Sequence, residues 1–490
     1  MQQLSGLDAS FLYLETPSSP MHVGGLMIYD QSTVPGGVVR FHDILRHVEQ
    51  RMHLARAFRQ KIVRVPMNAD HPYWIEDRNF DLEFHVRHIA LPEPGDWRQL
   101  CIQVARLHSR PLDLSRPLWE FTVISGLDSV YGLPPGCFAI VSKIHHAAVD
   151  GVSGTELTAA IHDTTPARGL PAARLDEAEQ WRPEPEPTPW TLLGRAWINN
   201  ATRPAHFVRV LGRTVPAVGR VLRRTSQQEN GRSTGRVPRT RFNGSVSAHR
   251  VVDGCLFDLD AIKRIRRAVP GSTVNDVVLT IVGGAMREYL QSKGELPPES
   301  VVAMAPISVR SKDQSGTAGN RVSGMMAPLA TDVADPLARL ESVYKGTQAS
   351  KQLTDAIGAE LMTDYSQFIP SSLAGLAARL SSRMGLANRT NPAFNCVVTN
   401  VPGPQEPLYM DGARLVNMWG LGPISDGMGL IHAVFSYCGR LTVNFTSCRE
   451  MLPDPAFYAA CIERSFEQLH AATSVDSTSH IGPIAATTGA

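Results

Sequence analysis

The sequence predicts an α/β protein, α+β in the stricter sense, built from two structured regions joined by an irregular one. Three observations predict it. Segments with helical spacing of apolar residues alternate with short strand-like runs on both sides of the middle. Near residue 166 the composition turns to proline and arginine, and 181–189 read Trp-Arg-Pro-Glu-Pro-Glu-Pro-Thr-Pro, which suits neither a helix nor a central strand. The chain has 490 residues, 43% of them hydrophobic, enough for a large core without disulfide or metal staples.

In the first region, 42–52 and 97–110 carry apolar residues at helical spacing. Leu118 to Ile124 and Cys137 to Lys143 read as strands bounded by turn residues. After the break, 246–257 alternate like a strand, and Asp260 to Ala268 read as a helix with a basic outer face. Val274 to Leu290 read as a buried helix. Val301 to Val309, Phe394 to Thr399, Gly429 to Tyr437 and Leu441 to Phe445 read as strands. The expected division is therefore 1–165, a linker over 166–245, a second domain over 246–472 and a flexible polar tail over 473–490.

Charge separates the linker from the rest. Between 181 and 245 stand twelve Arg, no Lys and three Glu, a local charge of +9 in a chain of +2. Trp190, Trp197 and Phe207 are interleaved with these arginines. Such a segment can lie on an anionic membrane surface. It reads equally as a solvated helix packing an apolar stripe on the protein, and Pro204 and Pro216 interrupt any long helix.

Whole-chain features exclude several classes. The near balance of charge argues against a globally basic nucleic-acid binder. Seven scattered Cys without a C-x-x-C pair read as reduced core thiols of a cytoplasmic protein. The other His show no H-E-x-x-H or comparable spacing, so no metal site is expected. The N-terminus lacks a basic start and a long apolar run, so no secretory signal is expected. No apolar stretch reaches spanning length, so any membrane contact is expected to be peripheral.

The segment that carries chemistry is His145-His146-Ala147-Ala148-Val149-Asp150-Gly151. An apolar run, Cys137 to Val141, leads into it. Ser153-Gly154-Thr155-Glu156 follows, an S-x-x-E capping box that should open a helix. The histidines are therefore expected at a strand end, where side chains are presented rigidly to a cleft. A neutral imidazole there suits general-base work at neutral pH. Asp150 can act on the ring or hold the loop through an arginine, and the short Asp-Gly spacing favours the loop. The alternative reading is a pair of buried, hydrogen-bonded histidines before an ordinary Asp-Gly turn.

With this motif the sequence resembles the bacterial wax ester synthase/acyl-CoA:diacylglycerol acyltransferases, within the chloramphenicol acetyltransferase-like and condensation-domain superfamily. Further blocks carry the likeness: Pro117-Leu118-Trp119, Thr273-Val274-Asn275-Asp276-Val277-Val278 and Asn400-Val401-Pro402-Gly403-Pro404. Pro20 to Gly25 and Pro306 to Arg310 also resemble it, and the likeness runs from about residue 4 to 470, weakest over 165–245. It implies two chloramphenicol acetyltransferase-like domains with mixed β-sheets and a tunnel at their interface. It implies acyl transfer from acyl-CoA, as co-substrate and with no cofactor, to diacylglycerol or a long-chain alcohol. By motif position His146 is the base, His145 supports it, and Asp150 and Gly151 shape the loop, with Arg310 the candidate partner of Asp150. Asn275, Asp276, Asn400, Pro402 and Gly403 build or support the site from the second domain. Helix capping is the competing reading of Asn275 and Asp276, a rigid turn that of Pro402-Gly403-Pro404. Beside Pro117, Trp119 reads better as core than as substrate contact. The implied setting is a peripheral association with the inner membrane or lipid inclusions, and a homo-oligomer stays open.

Two other patterns compete. Gly231-Arg232-Ser233-Thr234-Gly235 matches G-x-S-x-G but lacks the strand and helix that a nucleophile elbow needs. Gly420-Leu421-Gly422-Pro423 lacks the third glycine of a dinucleotide loop. The alternatives to acyl transfer are thus a serine esterase or lipase using Ser233, and a non-catalytic lipid-binding or droplet-coating protein.

Overall fold

Short polar side chains set the helix starts. Ser5, Asp81, Asp96, Asp258 and Thr273 each accept a first-turn amide, satisfying donors that the helix itself leaves unpaired. The computed structural model describes residues 1–149, 154–168, 185–201, 237–308, 322–357 and 384–475. Its helices are α1 (Gly6–Leu14), α2 (Phe41–Arg51), α3 (Leu82–His85), α4 (Trp97–Ser109), α5 (Gly154–Ile161), α6 (189–201), α7 (Leu259–Arg266), α8 (Val274–Ser292), α9 (Pro336–Ile357) and α10 (Pro455–Val475).

Two six-stranded sheets dominate. The first has the order β12-β13-β2-β7-β6-β5, with β2 (His22–Asp30), β5 (Val86–Ala90), β6 (Trp119–Ser125), β7 (Phe138–His145), β12 (Tyr409–Met410) and β13 (Ala413–Leu421). All its pairs are antiparallel except β5 with β6. The second has the order β10-β9-β11-β14-β15-β8, with β8 (Arg250–Asp258), β9 (Val302–Ser308), β10 (Val322–Pro328), β11 (Cys396–Pro402), β14 (Leu430–Tyr437) and β15 (Arg440–Cys448). Here β11 runs parallel to both β9 and β14. Strands β1 (Gln2–Gln3), β3 (Gln60–Val63) and β4 (Tyr73–Glu76) form a small third sheet. Both large sheets are therefore mixed, as the family resemblance implies.

The largest buried cluster lies in the second half. It joins α8, whose Val277, Val282 and Met286 are fully buried, to β11, β14, β15 and α10. The two larger clusters of the first half flank its sheet. One surrounds Phe58, Trp119 and Phe121. The other lies between the first sheet, α4 and β8, and includes Leu26, Leu100, Val104, Val252 and Trp419.

Strands β12 and β13 join halves that are far apart in sequence. β13 pairs with β2 from Asp30↔Arg414 to Gly24↔Leu421. Its backbone is also bonded from the second sheet. Thr442 Oγ1 donates to Met418 O at 2.8 Å, Asn444 Oδ1 accepts from Gly420 N at 3.1 Å, and Asn444 Nδ2 donates to Gly420 O. Between α4 and β8, Trp97 Nε1 donates to Asp253 Oδ1 at 2.9 Å. Arg51, almost wholly buried, holds Asp163 through two 2.8 Å bonds, and Asp163 exchanges backbone bonds with Tyr409. The chain just after α5 is thereby fixed to β12.

Most predicted elements appear with ends shifted by a few residues. The strand expected from 246 begins at Arg250. Ahead of it Val246 N donates to Asp426 and Ser247 N to Cys448, so these two residues anchor a turn instead. The proline-rich stretch ends in α6, with Pro189 in its first turn and Thr188 Oγ1 accepting from Thr191 N at 3.2 Å. Residues 181–184 and 202–236 of the basic segment and 476–490 of the expected tail lie outside the described residues, while 473–475, expected as tail, close α10.

Candidate active site

The apolar run 138–141 forms the inner length of β7, buried between β2 and β6. The strand ends at His145, and a single 3-10 turn, His146–Ala148, follows. Both neighbouring chains clamp this end. His145 N donates to Leu118 O at 2.9 Å, and His146 N donates to Met21 O at 2.8 Å. Two successive amides are thus fixed to separate chains, which gives the paired rings a rigid base.

The two rings have different surroundings. His145 is fully buried, and its Nδ1 accepts from Ala147 N at 3.1 Å. An accepting Nδ1 places the neutral ring's hydrogen on Nε2. That atom faces Glu15 Oε2 at 3.4 Å. His146 is half-buried, and Phe11 stacks on it with centroids 3.9 Å apart and planes inclined by 16°.

Phe11 and Glu15 come from α1 and its C-cap, four residues apart and so on one face of the helix. Ala9 and Leu12 of α1 pack with Ala147 and Ala148, whose small side chains let the helix approach. Sequence reasoning missed both site residues. Nothing in the sequence of α1 and its C-cap marks either residue, since their meeting with the histidines depends on how the helix docks.

Behind the pair lies a second histidine couple. His22 stands opposite His145 in the β2–β7 register. Its Nε2 donates to His108 O at 2.7 Å, and His108 Nε2 donates to Gly422 O at 3.0 Å. The rings meet edge to face at 4.6 Å. Burial, then the charge of His108, pushes the His22 imidazolium well below its ordinary range, and burial pushes His108 down to about 4. These rings are neutral supports at physiological pH.

The Pro117-Leu118-Trp119 block is scaffold. Leu118 supplies the carbonyl that holds His145 N and packs with Ala147 and Ala148. Trp119 is buried, stacks on His85 at 4.6 Å, and donates from Nε1 to Phe58 O at 3.0 Å, which is the core role expected for it.

In the second half, Asp276 is fully buried. Its Oδ2 accepts from Thr273 N and Oγ1, both at 2.7 Å, and its Oδ1 accepts from Thr347 Oγ1 at 2.6 Å. The carboxylate caps α8 and ties it to α9. Asn275 and Asn400 are half-buried and make no side-chain hydrogen bond among the described residues. After β11, Gly403 N donates to Ser436 O at 3.0 Å, and a Cβ at Gly403 would collide with that carbonyl. Pro402-Gly403-Pro404 is therefore a rigid turn held against β14.

Asp150, Gly151 and Arg310 lie outside the described residues, as does Ser233. The Gly420-x-Gly422 pattern is no phosphate loop: Gly420 and Leu421 are strand residues paired with Gly25 and Gly24. No group of three or more potential metal ligands occurs among the described residues.

Two mixed six-stranded sheets, a strand-end histidine pair and a strand shared between the halves define an acyltransferase-type scaffold, and comparison with known proteins places it. A model of the wax ester synthase/diacylglycerol acyltransferase catalytic domain matches residues 4–278, and one of the C-terminal domain of that family matches 318–470. The O-acyltransferase WSD of Acinetobacter baylyi is 32% identical over 472 residues, covering 92% of this chain and 93% of that protein. A Mycobacterium tuberculosis H37Rv protein provisionally assigned as a diacylglycerol O-acyltransferase is 35% identical, covering 93% and 87%. The wax ester synthase/diacylglycerol acyltransferase of Marinobacter aquaeolei VT8 superposes with a TM-score of 0.67 at 26% identity, covering 97% of this chain and 100% of that one. The first condensation domain of the calcium-dependent antibiotic synthetase shares the fold, at a TM-score of 0.54, 14% identity and 96% coverage of each chain. The chain belongs to the wax ester synthase/diacylglycerol acyltransferase family of O-acyltransferases.

Proposed function

We propose that this enzyme transfers a long-chain acyl group from an acyl-CoA thioester to the hydroxyl of diacylglycerol or of a long-chain alcohol, with His146 as general base. The observation that carries the reading is the contrast between the two rings: His145 is buried against Glu15, while His146 is half-buried and oriented by Phe11. His146 takes the acceptor's hydroxyl proton as that oxygen attacks the thioester carbonyl carbon. The tetrahedral intermediate then collapses with loss of the CoA thiolate, which recovers the proton from the imidazolium. His145 and Glu15 are positioning residues. Asn275 and Asn400 offer amides to a site between the halves, where the substrate tunnel is expected, and Asp150 and Gly151 shape the loop beyond His146.

The acceptors in this reading live in or on lipid, and no helix among the described residues is long and apolar enough to cross a membrane. Helix α6 supports a surface association. Leu192 and Ala196 pack on Val65 and Tyr73, whereas Trp190, Trp197 and Ile198 are 81%, 75% and 58% exposed. Isolated exposed tryptophans at these levels suit an interface between water and lipid.

Thiol release from palmitoyl-CoA, measured with and without each acceptor, tests the reading. Release that depends on acceptor and falls about 10²–10⁴-fold in a folded His146→Ala chain is expected. Near-normal release in that variant would remove His146 from the mechanism. Comparing diacylglycerol with hexadecanol at fixed acyl-CoA separates the two acceptor classes.

A further inference from the structure

A cleft of about 370 Å³ opens between α4 and the head of β8, at the seam between the halves. One face of α4 supplies Arg98 and Arg106, the approach to β8 supplies His249 and Arg250, and the end of β15 supplies Arg449. Between them the lining is apolar, with Ile102 and Val251 among its residues. The volume is that of a small-molecule site.

The charges in it are unbalanced. Arg98, Arg106 and Arg449 are exposed and make no ion pair within 4.0 Å among the described residues. Arg250 is only 5% exposed, yet its guanidinium donates to neutral carbonyls, Ser247 O at 2.5 Å and Ser18 O at 2.5 Å. The neighbouring carboxylate, Glu450, accepts from Ser247 Oγ at 2.6 Å and lies 3.2 Å from His249 Nδ1. Asp253, also close by, accepts from Trp97. Four guanidinium groups thus share the cleft with two nearby carboxylates, Glu450 and Asp253, neither within 4.0 Å of a guanidinium among the described residues, which leaves an excess of positive charge that an anion would offset.

The cleft adjoins the histidine pair through the segment 15–22. Arg250 is bonded to Ser18, three residues beyond the Glu15 that faces His145. The last turn of α4 is bonded to His22, the register partner of His145.

From this placement we propose that the cleft holds the phosphate groups of a coenzyme A thioester, whose pantetheine arm then runs past segment 15–22 toward His146. This rests on the acyl-CoA reading above. Coenzyme A carries a diphosphate and a ribose phosphate, a polyanion matched to a cluster of arginines, which bind phosphate by paired, charge-assisted hydrogen bonds. Phospholipid headgroups share that chemistry, so the test separates the two sources.

The full-length Arg98→Ser/Arg106→Ser/Arg449→Ser chain is compared with the wild type. Calorimetry with adenosine 3′,5′-bisphosphate should show affinity reduced at least tenfold. The preference for palmitoyl-CoA over palmitoyl-N-acetylcysteamine, which lacks the phosphates, should fall at least tenfold in kcat/KM, mainly through KM. Equal loss on both thioesters, or unchanged bisphosphate affinity, overturns the proposal. So does loss of sedimentation with phosphatidylglycerol vesicles while bisphosphate affinity is kept, because the cleft then serves lipid headgroups. If the triple variant misfolds, Arg106→Glu alone carries the same comparisons, since that side chain is exposed on α4. A wild-type chain that binds the bisphosphate but never turns over palmitoyl-CoA would sink the functional reading and leave the anion site standing.

Discussion

Phe11 and His146 lie ring on ring, 3.9 Å between centroids, although 134 residues separate them in the chain. A stacked aromatic pair contributes about 0.5–1.5 kcal/mol beyond its buried area. Here it also limits the rotation of the proposed base. Phe11→Ala is expected to lower kcat about three- to tenfold with little change in KM, and Phe11→Tyr to retain most of it. Steady-state kinetics at saturating acceptor check this; a fall confined to KM would mean that Phe11 acts on substrate binding instead.

Glu15 is the second α1 residue at the pair, 3.4 Å from His145 Nε2. The two atoms make no hydrogen bond, so Glu15 acts on the buried ring through electrostatic contact and packing. Glu15→Ala should therefore lower both the melting temperature and kcat. Glu15→Gln, which keeps an oxygen there, should recover much of the melting temperature. Identical melts for the two variants would show that the carboxylate does not support His145.

Acid should destabilise the protein before its carboxylates are neutralised. Burial, chiefly, lowers His47, His108, His162 and His432 to about 4. In the unfolded chain the same rings titrate near 6.5, so between about 6.5 and 4 the unfolded state binds more protons than the folded one. Their stabilising contribution is full above pH 6.5 and is lost as pH falls toward 4, at about 1.4 kcal/mol per pH unit for each ring within that window. Denaturant melts at pH 7, 6 and 5 should show a falling midpoint. His432→Asn should flatten the slope, and a midpoint independent of pH would contradict neutral burial of these rings.

The two faces of α6 should respond differently to substitution. Trp190→Ser with Trp197→Ser removes exposed side chains and should leave the melting temperature unchanged while weakening sedimentation with lipid vesicles. Leu192→Ser, at a position 3% exposed against Val65 and Tyr73, should instead lower the melt. Vesicle binding unaffected by the tryptophan changes would remove α6 from the proposed interface.

The parts of the site that were legible in the sequence are those whose cause is local. The apolar run before His145 forces a strand, and the strand must end where the polar His-His and the turn begin. Thr273 with Asp276 spells a helix start, and the structure uses the Asp276 carboxylate for that cap, with Thr347 as an additional partner. Trp119 was readable as core because a large aromatic after a buried leucine fits a sheet interior. Phe11 and Glu15 were not legible, because their significance arises only when α1 docks on Ala147 and Ala148. The pairing of β13 with β2 was hidden for a related reason. Alternation of apolar residues says which faces of a strand are buried, but not which sheet it joins.

That last pairing has a consequence for the order in which the protein can be made. The edge of β2 that β13 covers stays open while the ribosome adds the residues between Asp30 and Arg414, about 20–80 s of synthesis at about 5–20 residues/s. During that interval the nascent first sheet offers unpaired amides and carbonyls to any other growing chain. The first sheet becomes whole only after β8, β9, β10 and β11 of the second have been made and just before β14 and β15 follow, so the last strands of both sheets are added together.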